Sequence, residues 1–241
     1  MKKIITCLLL LASSTTLVWA SSTDYPLDDV KINLNDKASL QRGARIFVNY
    51  CLSCHSAKHM RYSRMAKDIG LTKKEVTDNL MFTTDKIRDL MTIAMQPEDS
   101  KNWFGVTPPD LTLVTRYRGP AWLHTYLRTF YLAPNRPTGV NNLVFEDTAM
   151  PNPLWSLQGW QARVEKGDKT HHRPGLELVS AGKMTPSEYN QALDDLVNFM
   201  VYMGEPAQLK REKLGPWVLL YIAIFCGIAY FLKREYWKDI H

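Results

Sequence analysis

Apolar and polar positions along most of this chain recur with the period of helices that bury one face. In the first such stretch Leu40, Ala44, Phe47 and Cys51 share a side, and Asp36 stands where a capping side chain opens a helix. Gly43, on or near that face, leaves room for a close helix crossing. The stretch Lys58 to Arg64 is basic and aromatic and reads as solvated surface. Thr72 and Glu75 have capping-box spacing, which predicts a short helix to about Phe82. Asp85 to Met95 reads as another helix, and Asn102 to Asp110 as a loop. Pro120 suits a first turn and predicts a helix to Tyr131, followed by a loop from Leu132 to Asn142. Met150-Pro151-Asn152-Pro153 is a rigid, non-helical turn. Trp155 to Lys183 is polar and poorly periodic, and predicts no definite element.

Two features stand out near the C-terminus. Thr185-Pro186-Ser187-Glu188 is a second capping box, and Tyr189, Leu193, Leu196, Met200 and Met203 form the stripe of the helix it opens. Asp194, Asp195 and Asn198 should face away from that stripe, and Gly204 can end the helix. Leu214 to Leu232 then runs without a charge, long enough to span a bilayer. Basic residues flank it on both sides: Lys210, Arg211 and Lys213 before, Lys233, Arg234 and Lys238 after. They do not orient the span.

The chemistry is concentrated in one pentapeptide, Cys51-Leu52-Ser53-Cys54-His55. This is the attachment signature of a c-type haem. Each thiol can add to one haem vinyl group, and the next residue then falls beneath the iron. A dithiol redox pair or half a zinc site shares the CxxC spacing. The first would need a βαβ context that the pattern does not supply. The second would need another Cys/His pair, for which only the distant His171-His172 is available.

The N-terminus bears on that choice. Lys2-Lys3, the apolar run Ile4 to Ala12 and Val18-Trp19-Ala20 have the form of a secretory signal peptide over residues 1–20. Export is what haem c attachment requires. It would also remove Cys7 and leave Cys226 in the apolar span, so only Cys51 and Cys54 remain in the exported part. An oxidising compartment could join those two, and no further disulfide framework is available. The formal net charge is +6, but the excess lies at the two ends and the body is nearly balanced. That is no footprint for nucleic acid.

A six-coordinate haem needs a second axial ligand, and a methionine there raises the potential. Met60, Met65, Met81, Met91 and Met95 lie on or beside predicted helices, where methionine usually packs in a core. Met200 and Met203 belong to a helix stripe, and Met184 precedes a cap. Met150 differs, being held on a turn stiffened by Pro151 and Pro153, and it is favoured for that reason. His124, His171 or His172 would instead give bis-histidine ligation, and an open site is a further alternative.

Several segments in sequence order resemble the cytochrome c1 family, the membrane-anchored haem subunits of the cytochrome bc1 complex (ubiquinol–cytochrome c oxidoreductase), in its bacterial form. They are SLQRGARIFVNYCLSCHS, MRYSRM, PPDLTLVTRYRG, FEDTAMPNPLW and DLVNFMVYMGEPA ahead of one C-terminal span. The resemblance implies one covalent haem c on Cys51 and Cys54, with His55 and Met150 as axial ligands. It implies that Arg118 pairs with a haem propionate. Trp122 stands where the mitochondrial form has a tyrosine near the haem. Implied partners are cytochrome b, a Rieske iron–sulfur protein as electron donor and a cytochrome c as acceptor, in a dimeric complex.

The expected architecture is therefore mostly α: a cytochrome c-type haem domain with long insertions plus one C-terminal transmembrane helix. Its parts are a signal peptide (1–20), a periplasmic haem domain (21–209), an anchor with its flank (210–232) and a cytoplasmic tail (233–241), in a bacterial inner membrane. Such a chain relays single electrons, while quinol oxidation falls to partner subunits. Three other readings stay open on the residues alone. They are a free-standing anchored cytochrome c serving a terminal oxidase, a haem sensor or peroxidase with an open sixth site, and a dithiol or zinc protein.

Overall fold

The computed structural model describes residues 25–165 and 174–238. The expected signal peptide and the pair His171-His172 lie outside the described residues. Helix α1, Lys37–Ile46, opens on Asp36, whose carboxylate accepts from the Ser39 N–H at 3.0 Å. It continues into a π-helical turn, Phe47–Cys51. Beyond it come β1 (Ala57–Arg61), α2 (Tyr62–Ile69), α3 (Lys73–Asn79), β2 (Leu90–Met91), α4 (Pro97–Phe104), α5 (Val114–Tyr117) and α6 (Pro120–Arg128). The hairpin β3 (Phe130–Leu132) and β4 (Val140–Asn142) follows, then α7 (Trp155–Gln158), β5 (Gly159–Val164) and β6 (Gly175–Ala181). Two long helices close the described chain: α8, Pro186–Gly204, and α9, Gln208–Tyr236. Each sheet is an antiparallel two-stranded pair: β1 with β2, β3 with β4, and β5 with β6.

The core is organised by the crossing of α1 over α8. Gly43 sits at the crossing, where an added Cβ would meet the Asp195 carbonyl oxygen at 2.0 Å. Phe47 packs on Phe199 there, ring centroids 5.7 Å apart. The α8 stripe of Tyr189, Leu193, Leu196, Met200 and Met203 is buried, as its spacing predicts. Asp195 and Asn198, however, do not face away; both are buried. Asp195 takes a bidentate ion pair from Arg42 at 2.6 and 2.9 Å. Asn198 donates to the Asn33 carbonyl and Ser39 Oγ, and accepts from the Asn33 N–H. The crossing is thus two-sided on α8: apolar residues fill it, and two polar ones tie down α1 and the segment before it. Asp194 is half-buried, the least buried of the three.

Other segments depart from expectation for local reasons. Asp85 to Met95 forms turns and strand β2, not a helix. The Thr84 hydroxyl bonds Asp89 at 2.6 Å and accepts from the Lys86 N–H, so side chains compete with helical hydrogen bonding. Lys58 to Arg64 is not a solvated surface throughout, because β1 buries Met60 and Tyr62 starts α2 fully buried. The Thr72 capping box is present, but α3 ends at Asn79. Asn102 to Phe104 complete α4 before Gly105 ends it, so the loop is shorter than expected. Helix α6 stops at Arg128 and the chain enters β3, making a hairpin of the expected loop after Leu132. The weakly patterned Trp155 to Lys183 region contains α7 and the β5–β6 hairpin.

Beyond Leu209, which packs against the core, the large apolar residues of helix α9 are exposed. Its uncharged stretch is about 28 Å long at helical rise, matching the hydrocarbon core of a bilayer. The chain is mostly α-helical with one C-terminal helix suited to anchor it.

Candidate functional site

The π-helical turn carries the chain from α1 into the pentapeptide. A π-turn shifts the helical register by one residue, often at functional sites. The Cys54 and His55 N–H groups both donate to the Cys51 carbonyl, at 3.1 and 2.9 Å. One tight turn therefore carries Cys51, Cys54 and His55 together. Burial pushes the Cys51 thiol up to about 12, and Cys54 adds to the shift, so the free thiol stays protonated.

His55 is held by a loop from elsewhere in the chain. Its Nδ1 donates to the Pro109 carbonyl at 2.8 Å, which leaves Nε2 as the available lone pair. Burial, outweighing this hydrogen bond and the nearby Asp110, lowers the imidazole from its usual range and favours the neutral ring. Backbone bonds fix the Pro109 loop. The Leu111 N–H donates to the Ser56 carbonyl at 2.9 Å, and Asp110 accepts from the Lys58 N–H at 2.8 Å. A neutral imidazole oriented by a backbone carbonyl is the form in which histidine binds metal.

These three residues open onto a cavity of about 470 Å³, which Arg118, Trp122 and Met150 also line. That size falls within the usual range for cofactor sites. The Met150 loop is braced from β4 and α6. The Asn142 carboxamide oxygen accepts from the N–H groups of Val144 and Phe145, and that of Asn141 from the N–H of Asp147. Asp147 takes a left-handed φ of 62° and pairs with Arg136 at 2.7 Å. Thr148 Oγ1 shares a hydrogen bond with the Tyr126 hydroxyl at 2.8 Å and accepts from the Met150 N–H at 3.4 Å.

On the cavity rim, the exposed Arg118 guanidinium lies over the Trp122 ring, 4.9 Å from its centroid, and 5.6 Å from that of Phe145. Trp122 stacks on Tyr126 at 4.9 Å with 9° between planes. The donor set fits a haem: two thiols and an imidazole with Nε2 available, a thioether on a braced loop, apolar walls, and a guanidinium free of ion pairs among the described residues.

The five residues singled out for haem binding, Cys51, Cys54, His55, Met150 and Arg118, thus line one cavity. Met60, Met65, Met81 and Met91 are packed in the core. Met200 is buried in α8 yet also reaches the cavity wall. His124 is occupied elsewhere, with Nδ1 2.8 Å from Asp28 and Nε2 3.4 Å from Asp194. Among the described residues no three His, Cys, Asp or Glu side chains cluster to hold a metal ion. Sequence reasoning missed Pro109, Tyr126, Thr148 and the asparagine pair. Their signal was weak: two adjacent asparagines before an apolar residue, and a threonine two positions before Met150.

A helical head, a CxxCH turn on an apolar cavity and an apolar terminal helix define a membrane-anchored c-type cytochrome. The model of the Cytochrome C1 family matches residues 29–240, and the chain belongs to that family. Cytochrome c1 of Allochromatium vinosum is 47% identical over 100% of both chains. The ammonia monooxygenase gamma subunit of Nitrosomonas europaea is 46% identical over 92% of each. Cytochrome b/c1 of Bradyrhizobium diazoefficiens is 26% identical over 86% of this chain and 34% of that longer protein. Family membership makes the chain an electron-transfer haem subunit and implies a covalent haem c.

Proposed function

We propose that this chain accepts single electrons from a Rieske iron–sulfur protein and passes them to a cytochrome c, within a ubiquinol–cytochrome c oxidoreductase. The observation that carries the reading is the gathering of Cys51, Cys54, His55, Met150 and Arg118 around one cavity. When bound, the haem supplies one-electron exchange between ferric and ferrous iron. Cys51 and Cys54 would hold it by thioethers. His55, its ring fixed by the Pro109 carbonyl, would offer Nε2 to the iron. Met150 would offer its thioether from the braced loop. Arg118, exposed at the rim, would offset a propionate charge there. The apolar walls keep water out and favour a raised potential.

The relative named cytochrome b/c1 joins two such names in one longer protein, which supports cytochrome b as a partner of this chain. In this reading the haem domain, residues 21–209, is periplasmic, residues 210–232 anchor it and residues 233–241 are cytoplasmic, after loss of residues 1–20. The complex is dimeric, and quinol is oxidised in its other subunits. Purification of the tagged full-length chain from mild detergent tests the reading. Cytochrome b and an iron–sulfur protein are expected to co-purify, with a low-spin haem c spectrum. A haem-bearing chain that purifies without either would favour a free-standing cytochrome and sink the complex.

A further inference from the structure

Two consecutive prolines leave the loop that grips His55 without donors of its own. Neither Pro108 nor Pro109 has an N–H, yet the Pro109 carbonyl is held 2.8 Å from His55 Nδ1. Its anchors come from the residues just after. The Leu111 N–H donates to the Ser56 carbonyl at 2.9 Å. The Asp110 carboxylate accepts the Lys58 N–H on one oxygen at 2.8 Å and the Thr112 N–H on the other at 3.0 Å. Thr112 Oγ1 accepts from the His59 N–H at 3.4 Å. Residues 109–112 are thus laced to residues 55–59, the stretch that carries the ligand.

Within this lacing Asp110 supplies the only anionic group. Pro108, Pro109 and Leu111 line the haem cavity, whereas Asp110 reaches onto β1. Its two oxygens are held by backbone N–H groups, and no lysine, arginine or histidine among the described residues pairs with it. The negative charge is therefore left to act on its surroundings. It reaches the His55 ring: burial lowers the imidazole, and the Pro109 bond and the Asp110 charge both oppose that.

We propose that Asp110 is a positioning residue for His55: it locks the Pro109 carbonyl onto Nδ1, keeps the imidazole electron-rich and so holds the midpoint potential below the value the axial ligands alone would set. The assignment rests on the haem reading of this cavity. Ferric haem carries one more positive charge than ferrous haem. A nearby negative charge and a strongly donating imidazole both favour it. Removing Asp110 weakens both, so the potential rises. That sign separates the assignment from a merely structural role. A loosened haem site admits water, which favours the more highly charged ferric state and lowers the potential.

The test uses the full-length haem-loaded chain in detergent. Asp110→Asn keeps the volume but loses the charge and one of the two acceptor oxygens. Its midpoint potential, read by spectroelectrochemical titration, should rise. Asp110→Ala should raise the potential too. Nuclear magnetic resonance of the reduced Asp110→Ala protein should show the His55 Nδ1–H exchanging about fivefold faster or more, as the loss of one net hydrogen bond implies. A potential unchanged or lowered in Asp110→Asn would overturn the assignment, as would an unchanged exchange rate in Asp110→Ala. Should both variants fail to fold or to take up haem, the wild type decides. Its Lys58 N–H and His55 Nδ1–H should be protected from exchange to the same degree, because one opening of the loop frees both. A ring proton far less protected than that amide overturns the assignment. A haem stain on a denaturing gel separates the two levels: covalent haem with an unmoved potential sinks only the role of Asp110, and a wild-type chain without covalent haem sinks the haem reading too.

Discussion

The Tyr126 hydroxyl lies 2.8 Å from Thr148 Oγ1, and both residues are buried. This contact joins α6 to the loop that carries Met150, whose own N–H reaches the same Thr148 oxygen at 3.4 Å. Burial, opposed by the Thr148 hydrogen bond, pushes the Tyr126 phenol up to about 12, so it remains a neutral donor and acceptor at any ordinary pH. Tyr126→Phe would remove this bond while keeping the stack on Trp122. The expected loss is about 1 kcal/mol of stability, the usual net value of one such bond. It should be concentrated in the Met150 loop. In a denaturant titration, the sulfur-to-iron charge-transfer band should disappear before the helical signal and earlier than in the wild type. Coincident, unshifted transitions would argue against the brace.

Met150→Leu tests the sixth ligand directly. Leucine has nearly the same volume, so packing changes little. The haem should stay attached through Cys51 and Cys54. The potential should fall, because a thioether ligand favours ferrous iron. The reduced protein should then bind carbon monoxide. An unchanged potential would move the ligand elsewhere, with Met200, the other methionine at the cavity wall, next in line.

The crossing of α1 and α8 has little tolerance. A Cβ on Gly43 would stand 2.0 Å from the Asp195 carbonyl oxygen and 2.7 Å from Phe199 Cβ. Both atoms belong to α8, one of them backbone, so neither gives way unless the helix itself moves. Gly43→Ala should therefore cost about 1–3 kcal/mol, the range for overpacking a filled core. Chemical denaturation of the haem-loaded protein measures it. The haem turn follows directly on α1, so haem content should fall at elevated growth temperature too. A variant as stable as the wild type would mean that the two helices can separate without loss.

How much of this was legible beforehand depends on where each signal sits. The haem turn, both capping boxes, the α8 stripe, Gly43 and the terminal span are carried by residues close together in sequence, and their spacing alone reveals them. The two prolines that follow Met150 singled it out, and it does line the cavity. Long-range contacts were not legible. That His55 Nδ1 would find Pro109, 54 residues on, depends on a loop fixed by Ser56 and Lys58 backbone contacts. Asp195 and Asn198 look like surface positions on a helical wheel. They are buried because Arg42, Asn33 and Ser39 supply matching groups from another element. The short strands were missed for a similar reason: β2 and β4 exist through their pairing partners, and their own sequences carry too few residues to set a period.

A final prediction concerns the segment that precedes α1. Asp28 bonds Arg128 and His124, both on α6, at 2.8 Å each, and so pins the chain's early segment to the helix behind the haem cavity. Burial alone would raise its carboxyl, but the hydrogen bonds and charges of Arg128 and His124 outweigh that and hold it below its ordinary 3.8. The unfolded chain therefore binds a proton more readily at this site than the folded one. Stability from Asp28 is fully present well above pH 3.8, and is lost as the pH falls through the lower folded value. Asp28→Asn should cost about 1–2 kcal/mol at neutral pH, since it strips a partly buried arginine and histidine of their charged acceptor. The gap to the wild type should narrow as the pH drops below 3.8. Asp194, on the other side of His124, behaves oppositely. Burial raises its carboxyl despite the histidine, so its ionised form is disfavoured in the fold and Asp194→Asn should be neutral or mildly stabilising at neutral pH. Denaturation midpoints for both variants across acidic pH measure this, and a gap for Asp28→Asn that stays constant down to the lowest pH would remove the carboxylate from the account.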